Sequence, residues 1–518
     1  MSENSLALTI DIGTQSTRAT LINKKGEIVG FSKKRYSPVY FSKEKGYCEQ
    51  DPNFYWEYIK HCLKELTSNN KDKLGDIVGA TITTFRDSSV LLDKDLKPIR
   101  DTILWCDQRT AEAKEKIPGL YSFLFKLVGM NDTIELNRKR TMAHWVKENE
   151  PENWAKTYKY VNISTYLTYK LTGNLVDSCS SMTGHYPINF KKGQWYGEKA
   201  LKGCIFGVKK SQLAELKRPG EILGTLTDEL AEEVGLPKGI KLIATGSDKA
   251  CETVGLGALS RDIGAISYGT ASTIEVSNTK FYEPEKFLPA YQAAIDGFYN
   301  MEVQVYRGYW MLTWFTKEFA SEMIDEAKIQ DMAVEEMLNA KLASIPAGSD
   351  GLVLQPYWGP SLSRPLSKGS IIGFTDVHTR FHMYRAIVEG IAYALREGLE
   401  GIEKSQHHKV KELRISGGGS QSDAICQITA DIFGLPVSRV QTIETSSLGA
   451  AVSVFLATGE FNCHKCAMKK MSHISKTFQP NMEVHKQYDY LYKKVYLKMY
   501  PKLKNIYKDI TTFRKKNK

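Results

Sequence analysis

Three short stretches of this chain join small residues to polar side chains in a way suited to phosphate oxygens. The first is Asp11-Ile12-Gly13-Thr14-Gln15-Ser16-Thr17-Arg18, directly after the apolar run Leu6–Ile10. Glycine and other small residues in a turn let backbone N–H groups approach an anion closely. Thr14, Ser16 and Thr17 add hydroxyl donors around Gln15, and Arg18 adds charge. Asp11, at the end of the first run, stands where a carboxylate could hold Mg2+, usually with water and phosphate completing the shell. The second stretch, Gly269-Thr270-Ala271-Ser272-Thr273, repeats the word G-T-x-S-T of residues 13–17 about half a chain later. The third is Gly417-Gly418-Gly419-Ser420-Gln421-Ser422, where a glycine run between a strand and a helix makes a platform for phosphate or for a flat base. Each stretch alone is equally compatible with a tight turn that holds nothing. Together they describe a nucleotide gripped from two sides.

The elements that must position these stretches follow from the apolar pattern. Leu6–Ile10, Arg18–Ile22 and Glu27–Phe31 read as three short strands joined by turns, so the first word sits at a hairpin tip. Gly264–Tyr268 and Ile274–Val276 flank the second word in the same way, which points to a duplicated domain. Between and after them, strand-like runs (Asp76–Thr83, Lys241–Thr245, Gly351–Gln355, Glu412–Ser416) alternate with helical patterns at 137–150, 225–235, Phe381–Glu400 and Ser422–Phe433. Such alternation predicts an α/β fold. With 518 residues the chain is too long for one core. Residues 1–256 and 257–460 are expected to be two domains, with 461–518 a basic helical extension.

Composition excludes several classes. Apolar residues make up 42% and charged residues 25%, the balance of a globular protein rather than a disordered or fibrous one. No long uncharged apolar run is present, so no membrane span is expected, and Met1–Ser5 lacks the pattern of a secretion signal. The nine scattered cysteines fit reduced thiols and a cytoplasmic location. Cys463 and Cys466, with His464 between them, have half the spacing of a zinc site, but the other half is missing. The net charge of +11 raises nucleic acid as a partner, yet the lysines are spread out and no recognition motif accompanies them. The basic stretch Lys493–Lys518 is read as an amphipathic helix because Tyr488, Tyr492, Tyr496 and Tyr500 recur every fourth residue.

These motifs resemble the FGGY carbohydrate kinases over roughly residues 6–460. The match is most specific in Ser416–Asp423, Gln427–Asp431, Gly434–Val437 and Glu444–Ala451; Asp11–Arg18, Gly46–Pro52, Trp105–Arg109 and Leu171–Gly173 also follow the family. The resemblance implies two ribonuclease-H-like, actin-type ATPase domains flanking a catalytic cleft. It also implies ATP and Mg2+ as cofactors, a small sugar or polyol as acceptor, and homodimers as a frequent assembly. Gly13, Thr14, Gln15, Ser16, Arg18, Gly269, Thr270, Gly418, Gly419, Ser420 and Ser422 would bind ATP, and Asp11 the metal.

The family's catalytic aspartate falls on Asp248, which would take the proton of the attacking hydroxyl. An aspartate of ordinary pKa is a weak base, tolerable because phosphoryl transfer depends mainly on positioning and charge. Thr84-Phe85-Arg86-Asp87 is closer to the Asn-Gln-Arg-Glu of glycerol kinases than to the Gly-Gln-Met-His of xylulokinases. Arg86 and Asp87 would bond vicinal hydroxyls, or else form a surface ion pair. Trp105 would stack on the sugar, or else pack in the core. Lys249 replaces the family's usual amide; a cation there would keep Asp248 ionised, could face a carboxylate, keto or phosphate oxygen, and favours an acidic or otherwise unusual acceptor over glycerol or plain xylulose. The rival reading is a catalytically silent, actin-like ATP binder acting as a regulator or scaffold.

Overall fold

The computed structural model describes residues 3–516 apart from 128, 198–199, 201–202, 286–287, 360 and 362. Parts of two readings, the N-terminal Met1–Ser5 and the 461–518 extension, therefore lie outside the described residues. The N-terminal half is built on the antiparallel meander β1 (Leu6–Ile12), β2 (Ser16–Asn23) and β3 (Ile28–Arg35). Every residue of β1 is buried, as a central strand covered on both faces requires. Helix α1 (Pro52–Asn69) starts where Asp51 accepts from the Asn53 N–H and Pro52 takes the first turn. It buries Tyr55, Ile59, Cys62, Leu63 and Leu66 at helical spacing. Strand β4 (Ile77–Thr84) then lies parallel to β1. Strands β5 (Ile222–Thr225) and β6 (Lys241–Ile243) complete the order β5-β6-β4-β1-β2-β3. Helix α2 (Asp248–Gly255) leaves the sheet with Ser247 as its N-cap.

The C-terminal half repeats this plan. Strands β7 (Ile263–Tyr268), β8 (Ser272–Asn278), β9 (Tyr291–Gln292) and β10 (Tyr299–Val305) are followed by the long helix α3 (Arg380–Gln406). Then come β11 (Glu412–Ser416), α4 (Asp423–Phe433), β12 (Val437–Val440), α5 (Thr445–Ala457) and β13 (Ile474–Phe478). The order is β9-β10-β8-β7-β11-β12-β13. The meander β7-β8-β10 matches β1-β2-β3; β11 lies parallel to β7 as β4 does to β1, and β12 stands where β6 does. The repeated G-T-x-S-T words occupy equivalent turns, so the duplication read from five residues extends to whole sheets.

The halves meet where α5 crosses α2. A methyl group on Gly449 would fall 1.8 Å from the Cys251 carbonyl oxygen, and one on Gly255 would fall 1.9 Å from that of Thr445. Only glycine permits backbones this close. An apolar cluster with Ala7, Ile243, Val254, Leu448, Val454 and Phe455 surrounds the crossing and joins strands of the first sheet to helix α5 of the second half.

Beyond β13 the chain forms the helix Met482–Leu491, a π-helical turn at Tyr492–Tyr496, and the helix Leu497–Lys516. Tyr488, Tyr492 and Tyr496 are buried against α3, where Tyr492 and Tyr496 pack on Tyr393. The tyrosine stripe is thus the apolar face of an amphipathic extension. The expectation of reduced thiols fails at one place: Cys463 and Cys466 form a disulfide at the N-terminus of the helix His464–Met471. Their spacing reflects a helix start, where residues three apart come together, and no metal-binding cluster is found among the described residues. No described helix is long and apolar enough to cross a membrane.

Candidate active site

Between the halves runs a cleft of about 2280 Å³ lined by both. At one end lie the phosphate-loop candidates. Gly13 closes the first turn, its N–H donating to the Ser16 carbonyl at 3.0 Å. Gly269 and Thr270 line the opposite wall, their carbonyls accepting from the N–H groups of Tyr309 and Trp310. Gly418 and Gly419 begin a 3-10 turn that leads into α4, which Ser422 caps. A methyl group on Gly419 would lie 2.5 Å from the Tyr309 ring, whereas nothing stands within 4 Å of one on Gly418.

Two hydroxyl assignments are corrected. Ser420 is buried and donates to the Gly417 carbonyl at 2.7 Å, so it holds the loop's shape and does not line the cleft. The Thr17 hydroxyl lies 2.8 Å from the Tyr36 hydroxyl in the core. The alternation of β2 explains this: residues 16 and 17 face opposite sides of the sheet. Gln15, Ser16 and Ser422 do line the cleft, and so does Gln421 of the same glycine-rich stretch.

Arg18 is not a free charge for phosphate. Its Nη1 bonds Asp11 Oδ2 at 3.2 Å and its Nε meets Glu444 Oε2 at 2.8 Å, a bridge from the first half to the turn before α5. Asp11 is buried, and its Oδ1 has no hydrogen-bond partner. Burial pushes its carboxyl up to about 6 against the pull of Arg18, with Glu444, Asp248 and Glu252 pushing the same way as burial. An orphaned, solvent-starved carboxylate oxygen beside further carboxylates is a site that a small divalent cation would satisfy.

Asp248 is the first residue of α2, and its Oδ1 accepts from the Lys249 N–H at 2.8 Å. Burial pushes its carboxyl above the ordinary aspartate value; Lys249 and Arg86 oppose that without cancelling it. Lys249 thus acts on Asp248 in the expected direction, with burial outweighing it. The Lys249 ammonium is engaged elsewhere, 2.8 Å from Glu252 Oε2 and 2.6 Å from the Ser267 hydroxyl.

Elsewhere on the cleft wall, Arg86 and Asp87 do not pair with one another. Arg86 Nη2 reaches Glu302 Oε1 on β10 at 2.8 Å, bridging the two halves. It also lies over the Tyr291 ring, 5.2 Å from its centroid. Asp87 has a left-handed backbone, φ 60°, and its carboxylate is held by His185 and Thr183. Trp105 lines the cleft, its indole N–H donating to the Thr14 hydroxyl at 3.2 Å. Thr183, His185, Tyr291 and Glu302 had no sequence signal; each is a lone residue in an unremarkable segment and is recruited only by the fold.

Family models for the FGGY carbohydrate kinases match the chain twice, the N-terminal domain at residues 6–255 and the C-terminal domain at 264–458. A xylulose kinase of Bacillus subtilis (strain 168) is 27% identical over 514 residues, covering 98% of this chain and 99% of its own. An uncharacterized sugar kinase of Escherichia coli (strain K12) is 26% identical over 488 residues, covering 94% and 92%. Among solved structures, a ligand-bound xylulose kinase from Lactobacillus acidophilus superposes with a TM-score of 0.81 at 23% identity, over 98% of this chain and 100% of that one. The fold is the two-domain actin-like one.

Proposed function

The chain belongs to the FGGY family of carbohydrate kinases, and from that premise we propose which groups perform the transfer and what kind of acceptor they take. The protein phosphorylates a small sugar or polyol. In our reading the phosphates of ATP lie between the turn at 13–16, the turn at 269–270 and the loop at 418–422. Mg2+, when bound, would neutralise charge on the phosphate oxygens, and Asp11 with its unpartnered Oδ1 is the side chain to hold it.

The acceptor hydroxyl would sit against Asp248, with Trp105 under its carbon face. Asp248 would take the hydroxyl proton as the oxygen attacks the γ-phosphorus and the bond to ADP breaks. A carboxylate raised by burial is better suited to this than an ordinary one, since a base works best when its pKa approaches the working pH. Closure of the two halves would exclude water, so hydrolysis of ATP without acceptor should be slow.

The observation that carries the acceptor class is charge pairing. The two cations that act on Asp248, Lys249 and Arg86, are each bonded to a glutamate, Glu252 and Glu302. An acidic acceptor would have to break one of those pairs. A neutral ketose or polyol needs only hydrogen bonds from them. The test is ADP release from Mg·ATP with ketoses, polyols and sugar acids, run beside Asp248→Asn. Turnover with a neutral acceptor, lost in the variant, is expected. A sugar acid as the best acceptor would sink the neutral-acceptor reading, and acceptor-independent hydrolysis at the full rate would sink the closure.

A further inference from the structure

Asp87 is the acceptor-side residue that the sequence pattern marks, yet its carboxylate is already engaged. His185 Nδ1 lies 2.6 Å from Oδ2, and the Thr183 hydroxyl donates to Oδ1 at 3.2 Å. Both partners come from one segment, far from Asp87 in sequence. That segment is pinned on either side. The Ser180 carbonyl accepts from the Ser247 N–H at 3.2 Å, next to the helix that carries Asp248. Tyr186, fully buried, places its hydroxyl 2.7 Å from that of Ser89. With Tyr186 pointing into the core, its neighbour His185 is directed to the cleft, where its side chain keeps 24% of its exposure.

Asp87 is equally constrained. It follows β4 in a left-handed turn, a conformation that aspartate tolerates better than most residues and that persists when the surroundings enforce it. Burial pushes its carboxyl up, but His185 and the Thr183 hydroxyl outweigh burial, and it stays below the usual carboxylate range. An ionised carboxylate can only accept, so the shared hydrogen belongs to His185 Nδ1. When the imidazole is neutral its lone pair is then on Nε2, for which the described residues provide no hydrogen-bond partner. Fixing one ring nitrogen sets the role of the other.

We infer that His185 is a specificity-determining residue of the acceptor site, its Nε2 accepting a hydrogen bond from one hydroxyl of a neutral sugar or polyol while Asp87 and Thr183 hold the ring in place. The inference rests on the acceptor pocket proposed above and deepens it. Asp87 reads the acceptor through the ring and not by direct contact. A site built to bond a hydroxyl rejects an analogue that lacks it far more strongly than an apolar pocket does, because its own polar atom is left bare.

The experiment uses the full-length enzyme with D-xylulose, glycerol and D-gluconate as probes, and the monodeoxy analogues of whichever binds best. Binding is read by calorimetry without nucleotide, and kcat and KM are read with Mg·ATP. His185→Leu should weaken the best neutral probe by roughly tenfold or more, chiefly in KM, with ADP affinity unchanged. One monodeoxy analogue should bind wild type and His185→Leu alike, because the contact it lacks is the one the variant has lost. His185→Gln, which keeps a polar side chain, should recover part of the affinity. The inference is overturned if His185→Leu binds like wild type, or if it weakens every probe and analogue equally. It also falls if no monodeoxy analogue binds wild type less well, or if no probe binds at all. Should His185→Leu fail to bind ADP, His185→Gln and the wild-type analogue series decide the matter. Probes that bind in the expected pattern but are never phosphorylated would count against the proposed transfer while leaving the His185 contact standing. Normal phosphorylation untouched by the His185 variants would do the reverse.

Discussion

On the side of the cleft proposed for the phosphates, Gly13, Gly269, Gly418 and Gly419 bring the main chain to the surface, and the hydroxyl of Ser420 is spent on the loop itself. On the side proposed for the acceptor the walls are side chains, and three charged ones are tied to partners: Arg86 to Glu302, Asp87 to His185, Lys249 to Glu252. The contrast follows from what each end must recognise. A phosphate chain is the same anion in every cycle, and main-chain N–H groups suit it regardless of side chain. A polyhydroxy acceptor is told from its neighbours by the direction of each hydroxyl, which needs oriented donors and acceptors. Paired charges supply these without a net field.

The contrast predicts opposite responses to mutation. The largest effect is expected at the junction of the two ends: Asp248→Asn should lower kcat by about 10³-fold while ADP binding persists, measured by steady-state kinetics and calorimetry. Next, Glu302→Gln leaves Arg86 without its counter-charge. It should cost about 3 kcal/mol in denaturant unfolding and weaken the acceptor while sparing ADP. Equal weakening of both ligands would erase the distinction between the ends. At the backbone-built end, adding a methyl group should matter more than removing a hydroxyl. Gly419→Ala, forced against Tyr309, should cost about 1–3 kcal/mol, whereas Gly418→Ala should fold normally and raise the KM for ATP. Ser16→Ala should change that KM by less than about threefold. If Ser16→Ala is the worse of the two, the walls are not backbone-built.

A further effect is one of pH. In the proposed site Asp11 would hold a cation only when ionised, and its carboxyl is pushed up to about 6. Mg2+ affinity of the ADP complex should therefore be level above that pH and fall toward tenfold per unit below it. Magnesium titrations between pH 5 and 8 would show this, and a flat profile would remove Asp11 from the site.

The same contrast explains what could be read before the fold was known. The phosphate end is made of contiguous words, since a turn that offers its backbone to a ligand must keep its small residues together. Hence the first turn, its repeat at 269–273 and the Gly417–Ser422 run were legible, along with the strand–turn–strand units that carry them. Side-chain direction within those words was less so: Ser420 and Thr17 belong to loop and core. The acceptor end escaped because its members are recruited one at a time. Arg86, Asp87 and Trp105 were visible through family motifs, but Thr183, His185 and Glu302 have no local pattern. Lys249 was visible, yet its meaning changed once Glu252, one helical turn on, proved to hold it.

The glycine crossing of α2 and α5 has a mechanical consequence. Gly255, at the far end of α2, is pressed against the backbone of α5, and Asp248 is the first residue at the near end. At the near end the Ser446 hydroxyl of α5 donates to the Asp248 carbonyl at 3.3 Å, and at mid-helix Gly449 lies against the Cys251 carbonyl, so α2 is clamped to α5 along its length. A movement of α5 against the first sheet would carry Asp248 with it, and a misplacement of about 1 Å is enough to cost a reaction its alignment. In the proposed mechanism, closure that excludes water and alignment that permits proton transfer would then be one motion, and a loosened clamp would leave an enzyme that still binds both substrates but brings them together out of register.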